Sequence, residues 1–102
     1  MYKIALVCEN GASTGMVVKK MKAAAESKGI EAEIGAFPFT QLENFIDEKD
    51  VILLGPQLAF KKDVAKKSFP EHADKIEVIS PMDFGMMNGA KILEDAIKIA
   101  DR

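Results

Sequence analysis

The chain is 102 residues long, 48% hydrophobic and 29% charged, the size of one globular domain and too apolar for disorder. Its 14 lysine and arginine residues against 16 acidic ones give a net charge of -2, which argues against nucleic acid as a partner. Apolar runs stop at about five residues, far below the roughly 20 that span a bilayer, and the N-terminus carries no signal-peptide pattern. The expectation is a cytoplasmic chain, not membrane-inserted, whose single cysteine cannot form an internal disulfide.

Lys3 to Val7 is mostly apolar and predicts a strand buried on both faces. The loop Cys8-Glu9-Asn10-Gly11-Ala12-Ser13 follows, then a helix from about Thr14 to Lys28. Val17, Val18, Met21, Ala24 and Ala25 form its apolar face, Lys19, Lys20, Lys22 and Glu26 the other, and Gly29 suits a left-handed cap. Glu31 to Phe37 reads as a second strand ended by Pro38. Leu42, Phe45 and Ile46 mark a short helix with Thr40 as its N-cap. Val51-Ile52-Leu53-Leu54 is a third, fully buried strand stopped by Gly55-Pro56. Leu58 to Phe69 reads as a helix with Val64 and Ala65 inward, broken by Pro70. Ile76 to Ile79 is the fourth strand, closed by Ser80-Pro81. Gly89 to Ala100 is the last helix, with Ile92, Leu93, Ala96, Ile97 and Ala100 on its apolar side.

Strand alternating with helix implies a four-stranded parallel sheet, order 2-1-3-4, in a three-layer α/β/α arrangement. In open sheets of this kind ligands bind beyond the carboxyl ends of the strands, where the strand order reverses. Cys8 occupies such an end. The loop behind it contains Gly11, which allows close backbone approach, while Ser13 and Thr14 add hydroxyls. The first amides of the following helix are unpaired, so the loop and helix start form a cradle for an anion. The same field favours a thiolate nucleophile attacking phosphorus, with amides around the equatorial oxygens. The plain alternative is a cysteine that only packs. Glu9 would oppose an anion if it pointed inward and is therefore expected to face solvent.

Cysteine phosphatases carry C-x5-R, with the arginine gripping phosphate bidentately. Here Thr14 stands in that place, and the only arginine is Arg102. The site is thus suited to accepting a phosphoryl group and poorly equipped to hydrolyse it.

Those residues, in that order, make the chain similar to the cytoplasmic IIB components of the bacterial phosphotransferase system, lactose/cellobiose (chitobiose) class. The resemblance covers 1–102 as one IIB domain. It rests on Lys3-Ile4 running into Leu6-Val7-Cys8, on Gly11-Ala12-Ser13-Thr14, and on Ala36-Phe37-Pro38. Further on it takes in Val51 through Gly55-Pro56-Gln57, Phe84-Gly85 and Asn88-Gly89. It implies a fold like that of low-molecular-weight tyrosine phosphatases, without their loop arginine. It also implies that Cys8 accepts phosphate from a phosphohistidine of a IIA partner and donates it to a sugar carried by the membrane IIC permease. The sugar expected is a β-disaccharide such as cellobiose or chitobiose. Glu9, Asn10, Gly11, Ala12, Ser13, Thr14 and Gly15 would hold the phosphate, with Gly55, Pro56 and Gln57 beside it. No cofactor and no metal are expected, and a monomer is the default. Glu9 and Asn10 stand where small residues are commoner in the family, Phe84 where Tyr is, and Asn88 where Asp is.

Two other readings stay open: a phosphatase or arsenate-reductase-like enzyme on the same loop, and a flavodoxin-like binding module in which Cys8 only packs. His72, the lone histidine, reads as a solvated loop residue rather than a metal ligand or phosphoryl acceptor. Met82, Met86 and Met87 read by default as core filling, with an adaptable docking surface as the alternative. Lys61, Lys62, Lys66 and Lys67 read as an exposed helix face.

Overall fold

The computed structural model describes residues 1–9 and 12–102. Alternation along two adjacent strands organises the interior. In β1 (Tyr2–Cys8), Ile4 and Leu6 face one side while Ala5 and Val7 face the other. In β3 (Val51–Leu54), Val51 and Leu53 join the first side and Ile52 and Leu54 the second. Two apolar clusters result, one on each face of the sheet. Strands so apolar on both faces require cover on both, and helices supply it.

With β2 (Ala32–Pro38) and β4 (Ile76–Val78) these strands form a parallel sheet of order β2-β1-β3-β4. On one face α1 (Ala12–Ser27) contributes Val17, Val18, Met21 and Ala25, and α5 (Gly89–Ala100) contributes Ile92, Leu93 and Ala96. The other face is covered by the 3-10 turn Phe39–Gln41, α2 (Leu42–Phe45), the 3-10 segment Pro56–Lys61 and α3 (Lys62–Ser68). A 3-10 segment, Pro70–Lys75, leads into β4, and α4 (Pro81–Gly85) links β4 to α5. The α/β class, the three layers and the strand order agree with the sequence reading.

Helix ends follow local chemistry. Gly29 adopts φ +69, its N–H donates to the Glu26 carbonyl at 3.2 Å, and the Ile30 N–H donates to the Ala25 carbonyl at 2.9 Å. That paired arrangement satisfies the last carbonyls of α1, and glycine takes the left-handed position at least cost. At the start of α5, Asn88 Oδ1 accepts the Lys91 N–H at 3.2 Å. Gly89 then presses against α1: a Cβ there would lie 2.4 Å from the Lys20 carbonyl carbon and 2.6 Å from the Met21 nitrogen.

Several boundaries differ from expectation, each for a physical reason. Helix α1 begins at Ala12 rather than Thr14, because Ala12 and Ser13 already take helical geometry. Thr40 is not an N-cap. It sits inside the 3-10 turn, and Gln41 precedes α2 without a side-chain cap bond. The helix expected over Leu58 to Phe69 is divided, since Pro56 opens a 3-10 segment in which the Leu58 N–H donates to the Gly55 carbonyl at 2.8 Å. That tighter winding shifts the phase of α3, so Ala65 is buried but Val64 is 58% exposed. Pro38 lies within β2 as its last residue, tolerated because β2 is an edge strand.

Candidate functional site at the carboxyl edge of the sheet

Chain order reverses between β1 and β3, the place where a parallel sheet opens a crevice at its carboxyl edge. Cys8 closes β1 there. It is in register with Pro38 on one side. On the other, the Gly55 N–H donates to the Val7 carbonyl at 2.8 Å, which brings the backbone after β3 level with Cys8. By strand alternation the Cys8 side chain falls on the Ile4 and Leu6 face, the face that α1 covers. The residue is 1% exposed.

Of the expected phosphate-binding residues, Glu9 is exposed in a bend directly after Cys8, as anticipated. Asn10 and Gly11 lie outside the described residues. Ala12, Ser13, Thr14 and Gly15 form the first turn of α1, so they present helix-start amides rather than loop amides. Thr14 is 1% exposed, and its buried Oγ1 has no hydrogen-bond partner among the described residues. Gly15 has open space around it: a Cβ there would meet nothing within 4 Å. Gly55, extended at φ -60 and ψ 154, is buried, and the exposed Gln57 folds back over it. A Cβ on Gly55 would lie 2.9 Å from Gln57 Oε1, so the small residue lets that amide approach the strand end. Pro56 begins the turn between them.

Other residues at this edge escaped the sequence reading. Phe39 follows Pro38 directly, and Lys61 Nζ lies 4.6 Å above its ring, so Lys61 is held against an aromatic face rather than simply solvated. An open groove of about 670 Å³ runs beside them, lined by Phe39, Leu42, Glu43, Lys61, Val64 and Phe69 among others. The core assignment of the methionines is overturned: Met82 is 72%, Met86 70% and Met87 38% exposed, and Met16 near the start of α1 is also exposed. Met82 lies in α4 and Met86 and Met87 directly follow it, a segment too short to turn a full apolar face inward while Phe84 packs against the core.

His72 is placed differently from expectation as well. It is partly buried in the 3-10 segment before β4, with Nε2 2.6 Å from Asp47 Oδ1. Both residues lie at the amino end of the sheet, remote from Cys8 along the strands. The electrostatic concentration is also away from Cys8, around Glu77 of β4. Partial burial pushes the Glu77 carboxyl up, but Lys62, Lys66 and Arg102 outweigh that effect and hold it below its ordinary value. Glu77 lies 3.0 Å from Lys62, 3.8 Å from Lys66 and 3.5 Å from Arg102. The only arginine is thereby tied to β4 rather than presented beside the thiol. Among the described residues no cluster of His, Cys, Asp or Glu converges to hold a metal ion. Among them, too, no helix is long and apolar enough to cross a membrane.

Comparison with known proteins agrees with this geometry. Residues 3–95 match the family described as PTS system, Lactose/Cellobiose specific IIB subunit. The chain is 38% identical over 99 residues to the PTS system oligo-beta-mannoside-specific EIIB component of Bacillus subtilis (strain 168), covering 97% of this chain and 96% of that one. Among solved structures, the cellobiose-specific phosphotransferase IIB component of Borrelia burgdorferi superposes with a TM-score of 0.83 at 39% identity, over 98% of this chain and 92% of that one. A low-molecular-weight protein tyrosine phosphatase from T. tengcongensis shares the fold alone, with a TM-score of 0.57 at 17% identity, over 99% of this chain and 96% of that one.

Proposed function

Because the chain belongs to the lactose/cellobiose-specific IIB family of the phosphotransferase system, whose work is phosphoryl transfer to sugar, we propose that Cys8 is its covalent phosphoryl carrier. The observation that carries this reading is the position of Cys8, at the end of β1, between Pro38 and Gly55, at the switch point and just ahead of α1. In the first half-reaction the thiolate attacks the phosphorus of a phosphohistidine on the IIA partner. The S–P bond forms as the N–P bond breaks, and the imidazole leaves. In the second, a sugar hydroxyl held by the membrane IIC permease attacks the same phosphorus. The O–P bond forms, the S–P bond breaks, the thiolate leaves, and the hydroxyl proton passes to a base on the permease.

Backbone amides from Glu9 through Asn10, Gly11, Ala12, Ser13, Thr14 and Gly15 hold the three equatorial oxygens, favoured by the positive end of α1. Gly55, Pro56 and Gln57 wall the opposite side. No arginine is available to stabilise hydrolysis, since Arg102 is engaged by Glu77; this favours onward transfer over a phosphatase. Residues 1–102 act as one IIB domain, monomeric and in the cytoplasm, and need no cofactor. The exposed Met16, Met82 and Met86 offer an adaptable surface at the carboxyl edge on which IIA and IIC dock in turn. A β-linked disaccharide is supported by relatives described as specific for oligo-β-mannoside and cellobiose.

The deciding experiment incubates the chain with phosphoenolpyruvate, the general phosphotransferase proteins and a IIA partner, and weighs the intact product. One added phosphoryl group is expected on the native chain and none on Cys8→Ala. A group that persists in Cys8→Ala would remove the assignment. Steady release of inorganic phosphate from an aryl phosphate would instead favour the phosphatase reading.

A further inference from the structure

The chain carries six methionines, and burial divides them. Met21 is fully buried in the interior, whereas Met16, Met82, Met86 and Met87 are exposed. These four share the carboxyl edge of the sheet. Helix α1 follows β1 and so begins at that edge, and α4 follows β4 and begins there too. Gly89, two residues beyond Met87, packs on Lys20, which lies one turn along α1 from Met16, so both groups sit on the same side of the sheet. Backbone bonds hold the turn after α4: the Met86 N–H donates to the Met82 carbonyl at 3.0 Å and the Asn88 N–H to the Asp83 carbonyl at 2.9 Å. Met87 closes that turn at φ 51, a left-handed position that glycine or asparagine fills at less cost. Cys8, at the same edge, is buried. An oxidant arriving from solvent therefore meets four thioethers here before it meets the thiol.

We propose that Met16, Met82, Met86 and Met87 form an oxidation site that regulates docking: hypochlorous acid converts their thioethers to sulfoxides, which weaken binding of the phosphorylated IIA donor while Cys8 is spared. The inference rests on the reading of Cys8 as the carrier and of this edge as the docking surface. A phosphohistidine reaches Cys8 only if the body of IIA covers the rim around the strand tip, and these side chains belong to that rim. In the oxidation each sulfur loses an electron pair to chlorine and gains one oxygen atom, so that one hypochlorous acid leaves as a chloride and a proton. The sulfoxide is polar where the thioether was apolar, and covering it with a partner costs the hydration it has gained. A thiol-dependent sulfoxide reductase reverses the step: two thiols join in a disulfide, and the oxygen leaves as water. Oxidant thus slows sugar phosphorylation without consuming the thiol, and repair restores it.

The test treats the native chain with a few molar equivalents of hypochlorous acid and maps the added oxygen by peptide mass. Cys8 is titrated as free thiol after unfolding, and KM for the phosphorylated IIA donor is measured before and after treatment. A second chain carries Met16→Leu, Met82→Leu, Met86→Leu and Met87→Leu together. It keeps Met1, which is exposed at the opposite end of the sheet, and Met21. Oxygen is expected on the four edge methionines and on Met1, with Met21 unmodified and the Cys8 titre complete. KM of the native chain should then rise by about fivefold or more with little change in kcat, and sulfoxide reductase should return it to its starting value. In the leucine chain the ratio of KM after treatment to KM before it should stay near one. Oxidation of Met21 as readily as the edge methionines, or loss of the Cys8 thiol at the same rate, overturns the inference. So does an equal rise of KM in the leucine chain, which places the damage elsewhere. An unchanged KM with all four sulfoxides formed overturns it and leaves the Cys8 carrier intact. A native chain that takes no phosphoryl group before any oxidant is added overturns the carrier and the regulation together.

Discussion

The two ends of the sheet are built on different terms. At the amino end, polar ties cross between elements: the Lys3 N–H donates to Asp50 Oδ2 at 2.9 Å, and Lys75 Nζ donates to the Lys49 carbonyl at 2.7 Å. Tyr2 donates to Asp101 there, and Asp47 meets His72. At the carboxyl end stand a buried cysteine, a buried threonine, a glycine overlaid by a glutamine side chain and a row of exposed methionines. Polar ties between elements gather where the strands begin, and small buried side chains and exposed apolar ones gather where they end. That division is what a transfer site requires: its donors must be free to meet charge that arrives from outside, so they cannot be fully engaged beforehand.

The sharpest way to break the comparison is Cys8→Ser. Phosphoryl transfer from a IIA donor to sugar should fall below detection, while the urea midpoint moves little, because the thiol is a small part of the packed interior. Gly89→Ala comes next and should act on stability alone. A Cβ driven to 2.4 Å from α1 backbone forces the two helices apart, at a cost of about 1–3 kcal/mol, read from urea denaturation. Third is Glu77→Gln, expected to cost about 1 kcal/mol at neutral pH by releasing Lys62, Lys66 and Arg102. The Glu77 carboxyl titrates below its ordinary value near 4.5 in the folded chain. Its contribution is thus complete above that value and disappears as pH falls through the lower folded one. Urea midpoints of the native chain and Glu77→Gln should therefore differ at pH 7 and converge as pH falls well below the ordinary carboxylate range, with transfer activity unaffected at pH 7. Smallest in stability is the pair Met82→Ser and Met86→Ser, expected within about 0.5 kcal/mol of native since both side chains are exposed. Their effect should appear instead as a raised KM for the phosphorylated IIA donor with little change in kcat.

Much of the frame was legible because its signals are local. Val51 to Leu54 is apolar without interruption and bounded by Gly55-Pro56, and Gly29 follows a periodic run at the place a left-handed cap is needed. The last helix, Gly89 to Ala100, agrees at both ends with its apolar period and its Asn88 cap. The place of Cys8 between a strand end and a helix start was legible because both elements carry local signals. Errors arose where winding or tertiary contact decides the outcome. Val64 turns outward because the 3-10 segment before it changes the phase of α3, and Thr40 loses its capping role because a turn runs straight into α2. Apolar character alone could not show that Met82, Met86 and Met87 lack a surface to pack on. The burial of Thr14 is invisible in a sequence, since a threonine at the start of a helix ordinarily reads as a cap.

The outermost strands have a bearing on how copies of the chain behave toward one another. β4 is only three residues long and lies beside the Lys62, Lys66 and Arg102 charges, while β2 has Glu33 exposed near its start and ends in Pro38. A short ladder, edge charges and a missing N–H are the devices by which open sheets discourage strand addition by a neighbour. The chain can therefore accumulate beside its own copies with little template for edge-to-edge aggregation, although its sheet is open on both sides.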